Sequence, residues 1–485
     1  MGILILILCI GCFTPLMVGM ARHILHFPER ISTPTWLLVT NALFILGGPV
    51  VYWTLYGEDL TNSVRGAATI AGVIVAYSAC LAGSYFVVTR GVTAITGIRI
   101  EGSVASLKRV AAVAKPTEVL MCSAVVIAVQ VVSLWLYSLG LTGGTMAYDY
   151  KLHVPYFIIV AYMLIGSASL GVAALLAKIA LGQSDLRFRF AAMAMLAIEY
   201  AITIYSGRRE LVWLTVAVTL GVIWSGRRRW LVAAPFALGG VYLILFVFAP
   251  VFLRARILYS GGNAPSVMEA YRIAIEDRST DVTGKTDLEA QRNTSWRFRT
   301  YAFWEQFYED RGPAFTHGKI LSQAVLMTLP RAIFGFTKYS LGVVDENLLE
   351  TRIDICNNVS LESYVDLGAL GPAVYGIIFG AVFALCDALI CFSGSRYRML
   401  AALNIGILMR HLLGPEANPI AYFSEFRTCV IYALLAALFA TLLRRKPMQA
   451  DSEPLKSGIA ARTRLEPAAI PPVRPPSRPL PVLPS

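Results

Sequence analysis

Apolar stretches recur along the chain from Gly2 to Leu442, separated by polar intervals that are short with one exception. A run of about 20 apolar residues crosses a bilayer as a helix, because in hydrocarbon the backbone must satisfy its own hydrogen bonds. Eleven such stretches are predicted, near 2–20, 36–56, 66–88, 119–140, 154–177, 190–205, 211–225, 231–252, 367–392, 399–413 and 420–442. The pattern predicts an all-α polytopic membrane protein with about 11 transmembrane helices. Helices 1–8 fall in 1–252 and helices 9–11 in 367–442, on either side of the long polar interval 253–366. The remainder, 443–485, carries ten prolines and no aromatic residue from Pro447 onward, and is expected to be a disordered extension. The first stretch lacks the basic leader of a signal peptide and reads as a retained helix.

Charge then orients the helices. Only 15% of residues are charged and 56% are hydrophobic, against roughly a quarter charged in soluble proteins. A net charge of +12 would suggest nucleic acid in a soluble protein. Here the positive residues sort to alternate loops, and no nucleic-acid partner is expected. Arg22 and Arg30 follow the first stretch; Arg90, Arg99, Lys108, Arg109 and Lys115 follow the third. Lys178, Arg187 and Arg189 follow the fifth, Arg227, Arg228 and Arg229 the seventh, Arg396 and Arg398 the ninth, and Arg444, Arg445 and Lys446 the last. Basic loops stay in the cytoplasm. The C-terminus is therefore expected inside, the N-terminus outside, and segments 56–65, 141–153, 206–210, 253–366 and 414–419 on the outer side.

Seven of the eight cysteines lie in or beside apolar stretches, and Cys356 alone lies in the long interval, so that interval has no internal disulfide. There is no Walker loop, no H-E-x-x-H, no G-x-S-x-G and no paired-cysteine metal spacing. Nucleotide-driven transport and zinc chemistry lack support, and neither a cofactor nor a metal is expected.

The long interval holds thirteen Arg or Lys among fifteen Asp or Glu, on the side where the orientation rule disfavours positive charge. Arginine presents a planar fork to phosphate and stays charged at ordinary pH. Fixed cations can also neutralise charge growing on a departing pyrophosphate. Candidates for binding such a group are Arg208, Arg209, Arg254, Arg297, Arg299, Arg331, Arg410 and Arg427. Arg410 and Arg427 lie just inside the outer ends of two stretches, where charge is costly. The alternative for these two is a structural pair with Glu416 or Glu425; for Arg208 and Arg209 it is an interfacial anchor beside Glu210. Arg297, Tyr301, Trp304 and Tyr308 share one face of a possible helix, either a sugar-stacking platform or an interfacial anchor. The apolar run 320–329 is too short to span and is read as interfacial or re-entrant. Candidate bases on the outer side are His153, His317, His411, Glu362, Asp366 and Glu425, with Glu362 and His411 foremost; each also has a plain alternative, a solvated loop carboxylate or a hydrogen-bonded histidine. Glu199, mid-span, is either functional or a helix-pairing residue.

Several of these residues carry a resemblance. Pro330-Arg331 followed by Lys338, Asn357-Asn358, Glu362-Ser363-Tyr364, and Gly368 to Gly371 entering a helix resemble the O-antigen polymerase (Wzy-type) family, as does Ser206-Gly207-Arg208 at the start of a span. Arg331 and Gly342 also fit an R-x10-G pattern found in some members. The resemblance covers about 200–442. It implies a GT-C-like polytopic glycosyltransferase of the bacterial inner membrane with one large periplasmic loop containing short helices. Its activity would be metal-independent transfer of glycan from undecaprenyl pyrophosphate to the next lipid-linked unit. It implies that Arg331 and Lys338 face phosphate or sugar and that Glu362 belongs to the site. Partners would be the undecaprenyl-pyrophosphate-linked oligosaccharide and membrane lipids; whether a chain-length regulator binds is open. An O-antigen ligase and a lipid-linked oligosaccharide flippase are the competing readings.

Overall fold

The computed structural model describes residues 2–26, 32–57, 59–61, 63–137, 156–206, 208–226, 229–260, 262–280, 300–311, 316–328, 358–412 and 419–442, with no strand among them. Helix α1 (Gly2–His26) is followed by a continuous run of α2 (Thr33–Asn41), a π-helical turn (Ala42–Leu46) and α3 (Gly47–Tyr56). Next come α4 (Val64–Thr96), α5 (Ser103–Val113), α6 (Pro116–Tyr137), α7 (Tyr156–Leu164) and α8 (Ser169–Gly182). Helices α9 (Leu186–Ser206), α10 (Arg208–Trp224) and α11 (Trp230–Tyr242) follow, and a second π-helical stretch leads into α12 (Ala249–Ser260). Four short helices are α13 (Val267–Thr280), α14 (Thr300–Arg311), α15 (Lys319–Thr328) and α16 (Val359–Leu367). The last three are α17 (Gly371–Arg396), α18 (Arg398–Leu412) and α19 (Pro419–Leu442).

Every predicted apolar stretch coincides with one of these helices or with consecutive ones. Among the described residues six segments are long and apolar enough to cross a membrane: Gly2–Met20, Val64–Thr96, Pro116–Ser133, Val160–Gly182, Val359–Arg396 and Pro419–Leu442. The chain is thus a helical protein of polytopic membrane type. Three of the other five stretches fall short for visible reasons. Helix α18 has 15 residues, α10 has 17 and opens on Arg208, Arg209 and Glu210, and α11 carries Pro235 and runs into a π-helical stretch.

Helix α8 lies at the centre. Ten of its 14 residues are buried, and a helix apolar on all sides belongs inside a bundle. Small residues let its neighbours approach: a Cβ on Gly171 would strike the Ala402 carbonyl of α18, and one on Gly406 the Ala168 carbonyl. Helices α4 and α17 pack parallel in the same way. Gly376 and Gly380, four apart on α17, lie against the backbone of α4 near Tyr77 and Leu81, the small-xxx-small contact of membrane helices.

The connections gather at two ends of this bundle. At one end Ser63 N–H donates to Glu305 of α14 at 3.0 Å, Tyr271 of α13 donates to the Ile204 carbonyl at 2.9 Å, and Arg427 donates to the Thr328 carbonyl at 3.0 Å. At the other, Arg398 donates to the Val113 carbonyl at 2.7 Å, Lys178 to that of Ala111, and Arg189 to that of Ala180. Among the described residues, each of these contacts joins segments that charge counting assigns to the same side. Helix α5, which hydropathy does not single out, fills in at the basic end. Its Ser103 hydroxyl donates to buried Asp387 at 2.9 Å, beside Tyr85 at 2.6 Å.

Candidate functional site

Arg410 and Glu210 meet across 200 residues of sequence. Glu210 sits in the first turn of α10 and Arg410 in the last turn of α18, so each complements the dipole of its own helix. The Arg410 Nη2 lies 2.9 Å from Glu210 Oε1, with the side chains 33% and 28% exposed. The guanidinium carbon stands 5.6 Å from the centre of the Trp213 ring, within cation–π range. The pair lines a small cavity of about 40 Å³ together with Tyr162, Ser167, Thr203 and Gln130. The partner of Arg410 is thus Glu210, with buried Glu425 adding a second negative charge nearby.

A second polar cluster forms around α16. Asn358 caps this helix, accepting from the Ser360 and Leu361 amides, and its own amide donates to Asn41 at 3.0 Å. Helical backbone therefore begins at Val359, and Glu362 is drawn into the apolar end of the bundle at 3% exposure. That removes the reading of Glu362 as a solvated loop carboxylate. Tyr308, Tyr375 and Tyr422 all feel its charge. Tyr308 donates to the Leu361 carbonyl at 2.7 Å. Burial, with Tyr364 and Glu362 nearby, pushes the Tyr308 hydroxyl well above its ordinary range, so it remains a donor.

Asp366, fully buried, accepts four hydrogen bonds: Thr316 Oγ1 at 2.6 Å, Tyr375 OH at 2.6 Å, and the amides of Ile320 at 3.0 Å and Leu321 at 3.1 Å. The last two belong to the first turn of α15, whose final carbonyl, Thr328, takes the Arg427 guanidinium. A carboxylate at its N-terminus and a cation at its C-terminus both match the dipole of α15. The short apolar run is thereby tied to the bundle at both ends, and Asp366 has no lone pair in evident need of another donor.

Helix α19 joins the two clusters. Tyr422 lies within electrostatic reach of Glu362, and Glu425, one turn on, within reach of Arg410. Beside this helix an apolar crevice of about 490 Å³ runs between α4, α17 and α19, from Phe426 toward Ala437. The chain matches no protein-family model, no curated protein and no solved structure.

Of the remaining expected site residues, Arg208 and Arg209 open α10 and His411 lies in the last turn of α18, with side chains outside the described set. Arg297, Arg299, Arg331 and Lys338 lie outside the described residues. Tyr301, Trp304 and Tyr308 do share a helix face, but they are buried against α1, α4 and the first π-helical turn, so they neither stack on a sugar nor anchor at an interface. His317 is exposed at a left-handed turn with φ 50°. Sequence reasoning missed the join between Glu210 and Arg410 and the tyrosines around Glu362. The signal for the first was present, as an acid directly after two arginines at a span boundary.

Proposed function

We propose that the chain is a glycosyltransferase of the O-antigen polymerase kind, with about eleven spans and the α13–α16 end on the periplasmic face. The observation that supports this reading best is the partly exposed Arg410–Glu210 pair, with Glu425, Tyr422 and Glu362 near it in charge at one end of the bundle. A lipid-linked donor brings its pyrophosphate to the membrane surface, where Arg410 and its neighbours Arg208 and Arg209 would take over its charge. The apolar crevice between the C-terminal halves of α4 and α17 and the middle of α19 suits the hydrocarbon tail of such a donor. In the reaction the acceptor oxygen bonds to the anomeric carbon, the bond from that carbon to pyrophosphate breaks, and the hydroxyl proton passes to a base. Of the two candidate bases, Glu362 is 3% exposed and surrounded by tyrosines, and His411 is the one adjacent to Arg410 in sequence.

A deletion strain tests the reading. Lipopolysaccharide carrying a single repeat supports a polymerase, uncapped core with accumulated polymer supports a ligase, and an unaltered surface glycan rejects both. Restoring the gene as Arg410→Ala is expected to leave the protein in the membrane and the polymer ladder absent.

A further inference from the structure

We infer that the apolar crevice between α4, α17 and α19 is the seat of an anionic glycerophospholipid from the leaflet at the basic end of the bundle. Its lining carries no charged residue, and its floor is one face of α17, where Leu385, Leu389 and Phe392 recur at helical spacing. All three helices belong to segments long and apolar enough to cross a membrane. The crevice opens toward hydrocarbon, for Ile98, Leu385 and Leu434 on its walls are exposed. Along α19 it runs from Phe426 to Ala437, which is about 16 Å at the ~1.5 Å rise per residue of an α-helix. That is about half of the ~30 Å hydrocarbon core. Such a depth fits the acyl chain of a lipid that keeps to one leaflet.

Charge at the rim selects the headgroup. Arg396, one turn beyond Phe392 on α17, holds its guanidinium carbon 4.2 Å above the centre of the Phe392 ring, which lines the crevice. Arg99, exposed, stands between Ile98 and Ile100, which line it as well. Neither arginine has an ion pair among the described residues. The two acids next in sequence to lining residues are already taken. Glu101 pairs with Arg109, and buried Asp387 accepts from Tyr85 and Ser103. Two guanidiniums beside a groove without charge therefore match a phosphate carried on acyl chains, and basic sites between spans at the cytoplasmic side bind anionic headgroups. A donor tail reaching the crevice from the Arg410 end would have to displace this lipid. The site itself does not depend on what the chain joins or carries, so its failure would leave the glycosyltransferase reading standing.

Native mass spectrometry of the full chain in detergent tests the site, with phosphatidylglycerol or phosphatidylcholine of the same acyl chains added. The unaltered chain should bind phosphatidylglycerol about tenfold more tightly, as two arginines at a membrane surface allow, and the preference should shrink as salt is raised. Arg99→Ala combined with Arg396→Ala should remove the preference, and Ala388→Trp on the crevice floor should weaken binding of both lipids. Equal binding of the two lipids by the unaltered chain overturns the proposal. So does a preference for phosphatidylglycerol that survives the double arginine variant. Lipid that co-purifies with the unaltered chain gives an arm that needs no variant to fold. An anionic phospholipid among it supports the proposal, whereas a polyprenyl phosphate alone, or no lipid at all, overturns it.

Discussion

Asp366 shows how a single carboxylate can hold a whole segment. Its four donors include two backbone amides that no other acid among the described residues reaches. Hydrogen bonds to a charged acceptor contribute about 1.5–3 kcal/mol each. Asp366→Asn keeps the volume but turns one acceptor into a donor that faces donors. It is expected to lower the thermal midpoint in detergent and expose α15 to limited proteolysis, whereas Asp366→Glu should do so less. Arg410 and Glu210 differ because both are partly exposed, so their coupling is screened and should amount to about 1 kcal/mol in a double-mutant cycle. A polymer ladder that survives Arg410→Ala would show that this charge has no part in turnover. The residues at this scale were unequally visible beforehand. Arg410 stands out as a charge near the end of an apolar run, but Glu362 is marked as buried only by an Asn cap nine residues before the apolar run was expected to begin.

Among the elements, the parallel contact of α4 and α17 depends on glycine. Gly376 stands with the Tyr77 carbonyl 2.7 Å from where a Cβ would be, and Gly380 is as close to Leu81. Both obstacles are backbone, which cannot rotate away. Gly376→Leu is expected to push the helices apart at a cost of about 1–3 kcal/mol, seen as lost disulfide cross-linking between cysteines placed at Ser84 and Ile377, whose side-chain and carbonyl groups meet at 2.7 Å. Helical periodicity foretold both helices. It could not say that they are neighbours, because almost 300 residues separate them and hydropathy carries no partner information.

For the whole molecule, the sorting of loops to two ends makes topology measurable. If the chain sits in a bacterial inner membrane in the proposed orientation, then in a chain freed of its native cysteines Glu276→Cys on exposed α13 should react with an impermeant maleimide added to intact cells whose outer membrane is permeable. Arg187→Cys, at the basic end, should react only after the inner membrane is opened. The reverse pattern would invert the orientation and leave the arginine end facing the cytoplasm.

Apolar run length and alternating charge are local properties, summed along the chain, and so the sequence alone determined a helical protein of membrane type and its element boundaries to within a turn or two at most described sites. Pairing is different. That Glu210 answers Arg410, that Asp366 and Arg427 clamp the two ends of α15, and that the aromatic face of α14 turns inward were decided only by tertiary packing. Helices in a bilayer leave register and neighbours to close-range contacts, small residues and buried polar bonds, whose partners lie tens to hundreds of residues away.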